Sequence, residues 1–238
     1  MQNTLTIATR QFRSFFNGPV AYIVIAIVLI ALGFFFWTPF FLMNHASVRE
    51  MFRLLGIILA FAVPALTMGL LAEERRSGTI ELLITMPVRD SDVIFGKFLA
   101  ALGLLGVLLL CTLPYPISVA TLGNLDWGPV LTGYFGLLLQ AGAMLAIGLM
   151  CSSFTDNQLV ALFVSLLICT VLAFFIGWFL PFIPSGFILD VVTWFAFDTH
   201  FEAMTRGLID TRDVVYFVSV AGFALMVAFR ALESRRWS

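Results

Sequence analysis

Residues 20–43, VAYIVIAIVLIALGFFFWTPFFLM, decide the fold because they form one apolar run without a charged side chain. A helix needs about 20 mostly apolar residues to cross the hydrocarbon core of a bilayer. The run is longer than the ~7–15 residues of a signal-peptide core, and no A-x-A-like cleavage motif follows it. The sequence therefore predicts a membrane-spanning helix that remains in the mature protein.

Similar apolar runs recur along the whole chain. Hydrophobic residues make up 61% of the 238 residues and charged residues 11%, whereas soluble domains carry about 25% charged residues. We predict an all-α membrane protein with six transmembrane helices, in which residues 1–238 form a single transmembrane domain. The predicted spans are residues 20–43, 54–71, 93–120, 130–150, 159–180 and 214–230.

The distribution of Lys and Arg predicts the orientation of the spans. Six spans place both termini on one side, and that side holds nine of the 13 Lys and Arg residues, leaving four on the other. Cytoplasmic loops carry an excess of these residues. We therefore expect both termini to be cytoplasmic.

Residues 181–213 interrupt the regular alternation of spans and short loops. The segment is partly apolar, but Pro184, Gly186 and Asp190 divide it. Irregular backbone at membrane depth is tolerated only against protein or water. The pattern predicts an outer segment of short re-entrant or interfacial helices before the last span, and not a seventh span.

The inner loop of residues 72–92 predicts a short surface helix. Gly78 can end the preceding helix, and Thr79 can cap a new one whose first turn contains Glu81 and Leu82. Such a helix suits docking to a soluble partner, while a solvated loop with salt bridges remains the alternative. The candidate coupling residues are Glu73, Glu74, Arg75, Arg76, Gly78, Thr79, Glu81 and Leu82.

Residues 1–19 form a second amphipathic element. Leu5 and Phe12 fall near one helical face, with Arg10 and Arg13 elsewhere on the helix. The spacing predicts an interface helix lying on the inner leaflet. A passive membrane anchor is the alternative.

The predicted spans contain few polar residues. Lys97 lies near an inner end, where it is expected to extend to the interface. Gln140 lies near a span centre, where it either bonds a neighbouring helix or lines a substrate path. Gly142 and Ala146 form a small-x-x-x-small pattern, which permits close helix packing or a dimer contact. Without buried carboxylates or a catalytic pair, the spans favour neither an ion-coupled carrier nor an intramembrane enzyme.

No nucleotide-binding motif is present in the sequence. The phosphate loop G-x-x-x-x-G-K-[ST] is absent, because Gly96 and Lys97 are followed by Phe98 and lack the upstream glycine. If the protein moves a substrate uphill, a separate polypeptide must supply the energy.

Several motifs resemble those of ABC-2-type permeases. The inner-loop match consists of residues 73–83 (EERRSGTIELL), 87–88 (PV) and 96–98 (GKF). A narrower resemblance, to the gliding-motility-associated permease branch, comes from residues 200–202 (HFE), 206–217 (RGLIDTRDVVYF) and 230–236 (RALESRR). The resemblance covers essentially the whole chain, but it does not fix a substrate.

This resemblance implies a function and a set of partners. The chain would be the non-enzymatic permease subunit of an ATP-driven transporter in the bacterial inner membrane, with the 72–92 loop as its coupling element. It would hold no cofactor, since ATP and Mg would be bound by a partner ATPase. A second permease subunit, a larger subunit with an extracytoplasmic domain and membrane lipid are the other implied partners, and nucleic acid is not. A mechanical subunit that transports nothing remains the alternative.

Overall fold

The computed structural model describes residues 2–43, 48–77, 90–123, 125–183 and 186–233. These residues form helices and turns without a strand, which confirms the predicted all-α class. In chain order the helices are α1 (Gln2–Asn17), α2 (Val20–Met43), α3 (Val48–Thr67), α4 (Gly69–Arg76), α5 (Asp90–Cys111), α6 (Pro114–Leu122), α7 (Trp127–Phe154), α8 (Gln158–Thr170), α9 (Ile176–Phe179), α10 (Phe187–Phe195), α11 (Phe197–Thr205) and α12 (Thr211–Glu233).

Six helical stretches within the described residues are long and apolar enough to cross a membrane, as predicted. They are residues 20–38, 48–76, 91–121, 127–154, 158–179 and 211–233. The second is longer than the predicted 54–71 because helical structure continues into charged residues at both ends. Its two parts, α3 and α4, are joined by a turn in which the Met68 amide still donates to the Pro64 carbonyl at 3.0 Å.

The bundle has two ends that differ in structure. We call the end where α4 stops and α5 starts the near face, and the end that carries α10 and α11 the far face. Helix α2 begins and helix α12 ends toward the near face, because the six spans of the described residues alternate in direction.

Helix α7 is the most buried span and forms the centre of the bundle. It packs chiefly against α3, α8, α11 and α12. Small residues permit this close packing: a Cβ added to Gly148 would lie 2.0 Å from Thr67 Oγ1, and one added to Gly133 would lie 2.6 Å from a Phe52 ring carbon. Gly142 and Ala146 are also buried within the chain. A Cβ added to Gly142 would lie 3.3 Å from Leu102 Cδ1, which favours close helix packing within the chain, and the alternative of a dimer contact stays a prediction.

The far face carries two short helices, as predicted for residues 181–213. Helix α11 packs on α7, where the Thr132 hydroxyl donates to the Met204 carbonyl at 2.7 Å. Residue His200 joins α11 to α12, because its Nδ1 lies 2.7 Å from Asp213 Oδ1 and its ring stacks on Tyr216. Gly207 adopts φ 89°, which turns the chain from α11 toward α12.

The N-terminal helix lies along α5. Thr4 Oγ1 donates to Asp92 Oδ1 at 2.7 Å, and a Cβ on Gly96 would lie 2.8 Å from Ile7 Cγ2. Phe12 faces Gly103 further along α5, so the two helices run in the same direction. The amphipathic helix is present, but it is packed on a span and does not stand apart from the bundle. Leu5 is exposed and does not belong to its packed face.

Candidate functional site

The charged end of α4 contains side chains that face outward and one that turns inward. Glu73 and Arg76 are exposed at the near face. Arg75 turns inward, with only 3% of its side chain exposed, and its Nε lies 2.6 Å from Asp156 Oδ1. Its Nη1 also donates to the Ser153 carbonyl. A buried cation held by two groups fixes the position of α4 against the end of α7.

Asp156 reaches Arg75 because the connection between the fourth and fifth spans is short. Helix α7 ends at Phe154, and Asn157 caps α8 by accepting from the Leu159 amide at 3.0 Å. The tight turn places Asp156 directly beside the last turn of α4.

Ser152 makes a second connection between α7 and the α3–α4 junction. Its hydroxyl oxygen accepts from the amides of Leu71 and Ala72 at 3.1 and 3.0 Å and donates to the Met68 carbonyl at 3.0 Å. Because the side chain is fully buried, these hydrogen bonds do not compete with water. The junction between α3 and α4 is therefore held in one position relative to α7.

Lys97 connects α4 to the third span. Its Nζ lies 2.7 Å from Glu74 Oε1 and donates to the Leu70 carbonyl. The side chain is 3% exposed, so the prediction that Lys97 extends to the interface is wrong. Burial of an ammonium group is favourable only when anionic and carbonyl oxygens replace its water, and α4 supplies both kinds of oxygen.

The other residues predicted for coupling and for the interface helix fall into two groups. Gly78, Thr79, Glu81 and Leu82 lie outside the described residues, so the predicted helix within the 72–92 loop stays a prediction. Arg10 and Arg13 lie on α1 beside a surface pocket, whereas Phe12 packs against α5 and its ring lies 5.0 Å from the Phe16 ring. The near face thus presents Glu73 and Arg76, while Arg10 and Arg13 lie further along α1, in the part of the helix that follows α5 away from Asp92.

Gln140 lies midway along α7 and faces a cavity toward the far face. Its side chain is buried, and its Oε1 has no hydrogen-bond partner among the described residues. The same cavity is lined by Gly56, Arg53 and Asp198. Of the two interpretations made for Gln140, the geometry favours a residue that lines a cavity over one that bonds a neighbouring helix through this oxygen.

Replacement of Gln140 with leucine tests this interpretation. We expect Gln140→Leu to change the free energy of unfolding by less than about 1 kcal/mol, because no hydrogen bond to Oε1 is lost and a polar atom is no longer buried without a partner. Ser152→Ala, at a buried α7 position with three hydrogen bonds, is the comparison and should cost about 2–3 kcal/mol. Unfolding of the purified chain in detergent measures both. Equal losses would show that Gln140 has a structural role.

Sequence reasoning missed the part that five residues play in these sites. Three of them bind α4 or the α3–α4 junction from another part of the chain: Asp156, Ser152 and Lys97. The other two, Arg53 and Asp198, line the same cavity from different helices. A charged residue in the short turn between two spans was a usable signal for Asp156. For the other four residues, no neighbouring sequence feature predicts the partner, because their contacts form only when the spans pack together.

The fold and the near-face contacts define a multi-pass helical membrane protein whose second span is fixed firmly to its core. A family model for ABC-2 family transporter proteins matches residues 7–228. The chain therefore belongs to the ABC-2 transporter family and is a membrane-embedded permease component, not itself catalytic. No curated protein matches the sequence. The match identifies the family and not the gliding-motility branch within it.

Proposed function

We propose that this chain couples ATP hydrolysis by a separate ATPase subunit to movement of its own spans. The observation that carries the proposal is the attachment of α4, the helix that leads into the 72–92 loop, to three other parts of the chain. Arg75 binds the α7–α8 turn, Ser152 holds the α3–α4 junction, and Lys97 binds α4 from α5. A force applied to the loop reaches the core through these contacts.

The second span extends this connection across the bundle. Helices α3 and α4 form one helical stretch, residues 48–76, which runs from the far face to the near face. Arg53, near its far end, lines the cavity that contains Gln140. Displacement of α4 therefore moves a cavity wall at the opposite face, which is the geometry that a transport cycle requires.

The proposed assembly contains two permease subunits and two ATPase subunits, which bind ATP and Mg. The least buried spans, α2, the α8–α9 stretch and α12, leave apolar side chains for lipid or a second permease subunit. We place the near face, with Glu73 and Arg76, on the cytoplasmic side of a bacterial inner membrane, because the Lys and Arg distribution favours that orientation. Arg10 and Arg13 of α1 would then lie on the cytoplasmic half of the bundle.

A mechanical subunit that transports nothing is the second candidate function. The contacts of Arg75 and Lys97 would serve it equally well, because they transmit a displacement whatever its use. The cavity beside Gln140 favours transport, since a purely mechanical helix bundle has no need for a polar cavity at mid-depth.

Purification of the chain from its native membrane in mild detergent tests the proposal. We expect a soluble ATPase to copurify at stoichiometric yield, with activity that depends on this chain. A further subunit with an extracytoplasmic domain would extend the assembly as the resemblance implies. Repeated purification without an ATPase in several detergents would contradict the coupling role.

Arg76→Glu is expected to reduce the amount of copurified ATPase severalfold. Arg76 is exposed at the near face, so charge reversal should act on the partner and leave insertion intact. Arg212→Glu, an exposed arginine of the far face, is the matched control and should copurify normally. If Arg76→Glu binds the ATPase at the unaltered yield and activity, this face is not the docking surface.

A further inference from the structure

A polar cleft opens from the far face into the chain. Its inner part is a cavity of about 230 Å³ between α3, α7, the fifth span and α11. An outer part of about 290 Å³ shares Arg53, Asp198 and Phe201 with it. A π-helical turn, Val171–Phe175, supplies Ala173 and Phe174 to the wall. Such turns interrupt regular helices and occur frequently at functional sites.

The inner part of the cleft carries one cationic and one anionic side chain that are not in contact, while Arg49, Glu50 and Glu202 line only its outer part. Arg53 and Asp198 both line it, and they influence each other electrostatically. No ion pair within 4.0 Å joins them among the described residues. Burial raises the pKa of the Asp198 carboxyl group, and the nearby Arg53 opposes this shift. A ligand that carries both charges would satisfy each group without adding net charge to the cleft.

At the inner end of the cavity, a buried side-chain oxygen can accept a hydrogen bond but receives none from the described residues. Gln140 has a relative exposure of only 3%, and its Oε1 has no partner among the described residues. Aromatic rings line the wall beside it, including Phe174 and Trp178, which stack with an interplanar angle of 16°. An ammonium group donates three hydrogen bonds and is attracted by aromatic faces. It is the group that matches these surroundings.

We propose that this cleft binds a zwitterionic ligand whose ammonium group enters first, toward Gln140 and Asp198, and whose anionic group stays at the mouth beside Arg53. Gly177 leaves space for the carboxylate of Asp198, because a Cβ at position 177 would lie 3.3 Å from Asp198 Oδ2. Glu202, at the rim, is already paired with Arg206. The inference concerns this cleft alone and does not depend on coupling to an ATPase.

Two sources can supply this chemistry: the headgroup of an aminophospholipid and a free small zwitterion. The chain that continues from Trp178 exposes a run of large apolar side chains, among them Phe179, Phe182, Phe187 and Ile188. Acyl chains could cover this surface while the headgroup occupies the cleft. A free zwitterion would leave the surface to bulk lipid.

Native mass spectrometry of the delipidated full-length chain, with any subunits that copurify, tests the inference with three separate probes. Dioleoyl phosphatidylethanolamine carries the zwitterion with acyl chains, glycerophosphoethanolamine carries it without them, and dioleoyl phosphatidylglycerol lacks the ammonium group. We expect Asp198→Asn and Arg53→Gln each to weaken binding of an ethanolamine probe by about tenfold or more. Asp190→Asn and Arg212→Gln, far-face positions outside the cleft, should leave binding unchanged.

The outcomes separate the sources and can overturn the inference. Binding of phosphatidylethanolamine without the free headgroup identifies a lipid, and comparable binding of glycerophosphoethanolamine identifies a soluble zwitterion. The inference fails if phosphatidylglycerol binds as well as either ethanolamine probe, or if both cleft variants bind like the unaltered chain. Gln140→Leu, chosen because its fold is expected to persist, should also weaken binding severalfold.

Discussion

Arg75→Ala is expected to lower the free energy of unfolding by about 2–3 kcal/mol, while Arg76→Ala, at the next position, changes it by less than about 0.5 kcal/mol. The two residues share a helix, a charge and a turn, but only Arg75 has a buried side chain. Its removal eliminates the ion pair with Asp156 and the hydrogen bond to the Ser153 carbonyl. The value lies below the roughly 3–5 kcal/mol of a fully buried pair because Asp156 is 61% exposed and remains hydrated.

Thermal unfolding of the purified chain in detergent measures this difference. A double-mutant cycle with Asp156→Ala isolates the pair, and a coupling energy of at least about 0.5 kcal/mol is expected for residues in direct contact. Similar losses for Arg75→Ala and Arg76→Ala would show that Arg75 does not hold α4 to α7. The assignment of Arg75, and not Arg76, to holding the fold would then be wrong.

Gly148→Ala is expected to lower the free energy of unfolding by about 3 kcal/mol or more, a larger loss than the same change at any other glycine of α7. The new Cβ would lie 2.0 Å from Thr67 Oγ1 and 2.8 Å from Thr67 Cβ. The latter atom is attached to the backbone and cannot rotate away, so α3 and α7 would have to separate. Because α7 is the central helix, that separation would disturb the whole bundle.

Gly106→Ala is the matched control, since a Cβ there meets no atom within 4 Å. It should be neutral or stabilising by up to about 1 kcal/mol, as expected for alanine in place of glycine in a helix. Thr67→Ala in the Gly148→Ala background removes the closest atom and should recover part of the loss. The steric account fails if Gly148→Ala and Gly106→Ala unfold at the same temperature.

One helical stretch joins the far-face cleft to the near-face ion pair. Residues 48–76 carry Arg53 at the far-face cleft, Thr67 at the close contact with α7, and Arg75 at the near-face ion pair. A change at Thr67 or Arg75 alters how the second span is held, whereas a change at Arg53 alters the cleft. Under the proposed coupling role, variants that loosen α4 while preserving the fold are the ones in which ATPase association and ATPase activity should separate.

The sequence by itself determined the class of fold and the approximate position of each span. Long apolar runs such as residues 20–43 leave a helix as the only structure that satisfies the backbone within a single segment in lipid. The division of residues 181–213 into short helices was predictable for the same local reason, since Pro184 and Gly186 interrupt the apolar pattern. Span ends were less predictable, because helices continue into charged interfacial residues.

Only the tertiary structure decided which polar side chains face inward. Arg75 and Arg76 are the same residue type at adjacent positions. Their environments differ because Arg75 packs beside Asp156, whereas Arg76 is exposed. Lys97, Gln140 and Asp198 likewise acquire their surroundings from helices distant in sequence. The apolar pattern of a span determines that it lies in lipid. The contacts among spans depend instead on the shapes of the side chains where two helices cross. Because those side chains are distant in sequence, a local pattern does not predict the contacts.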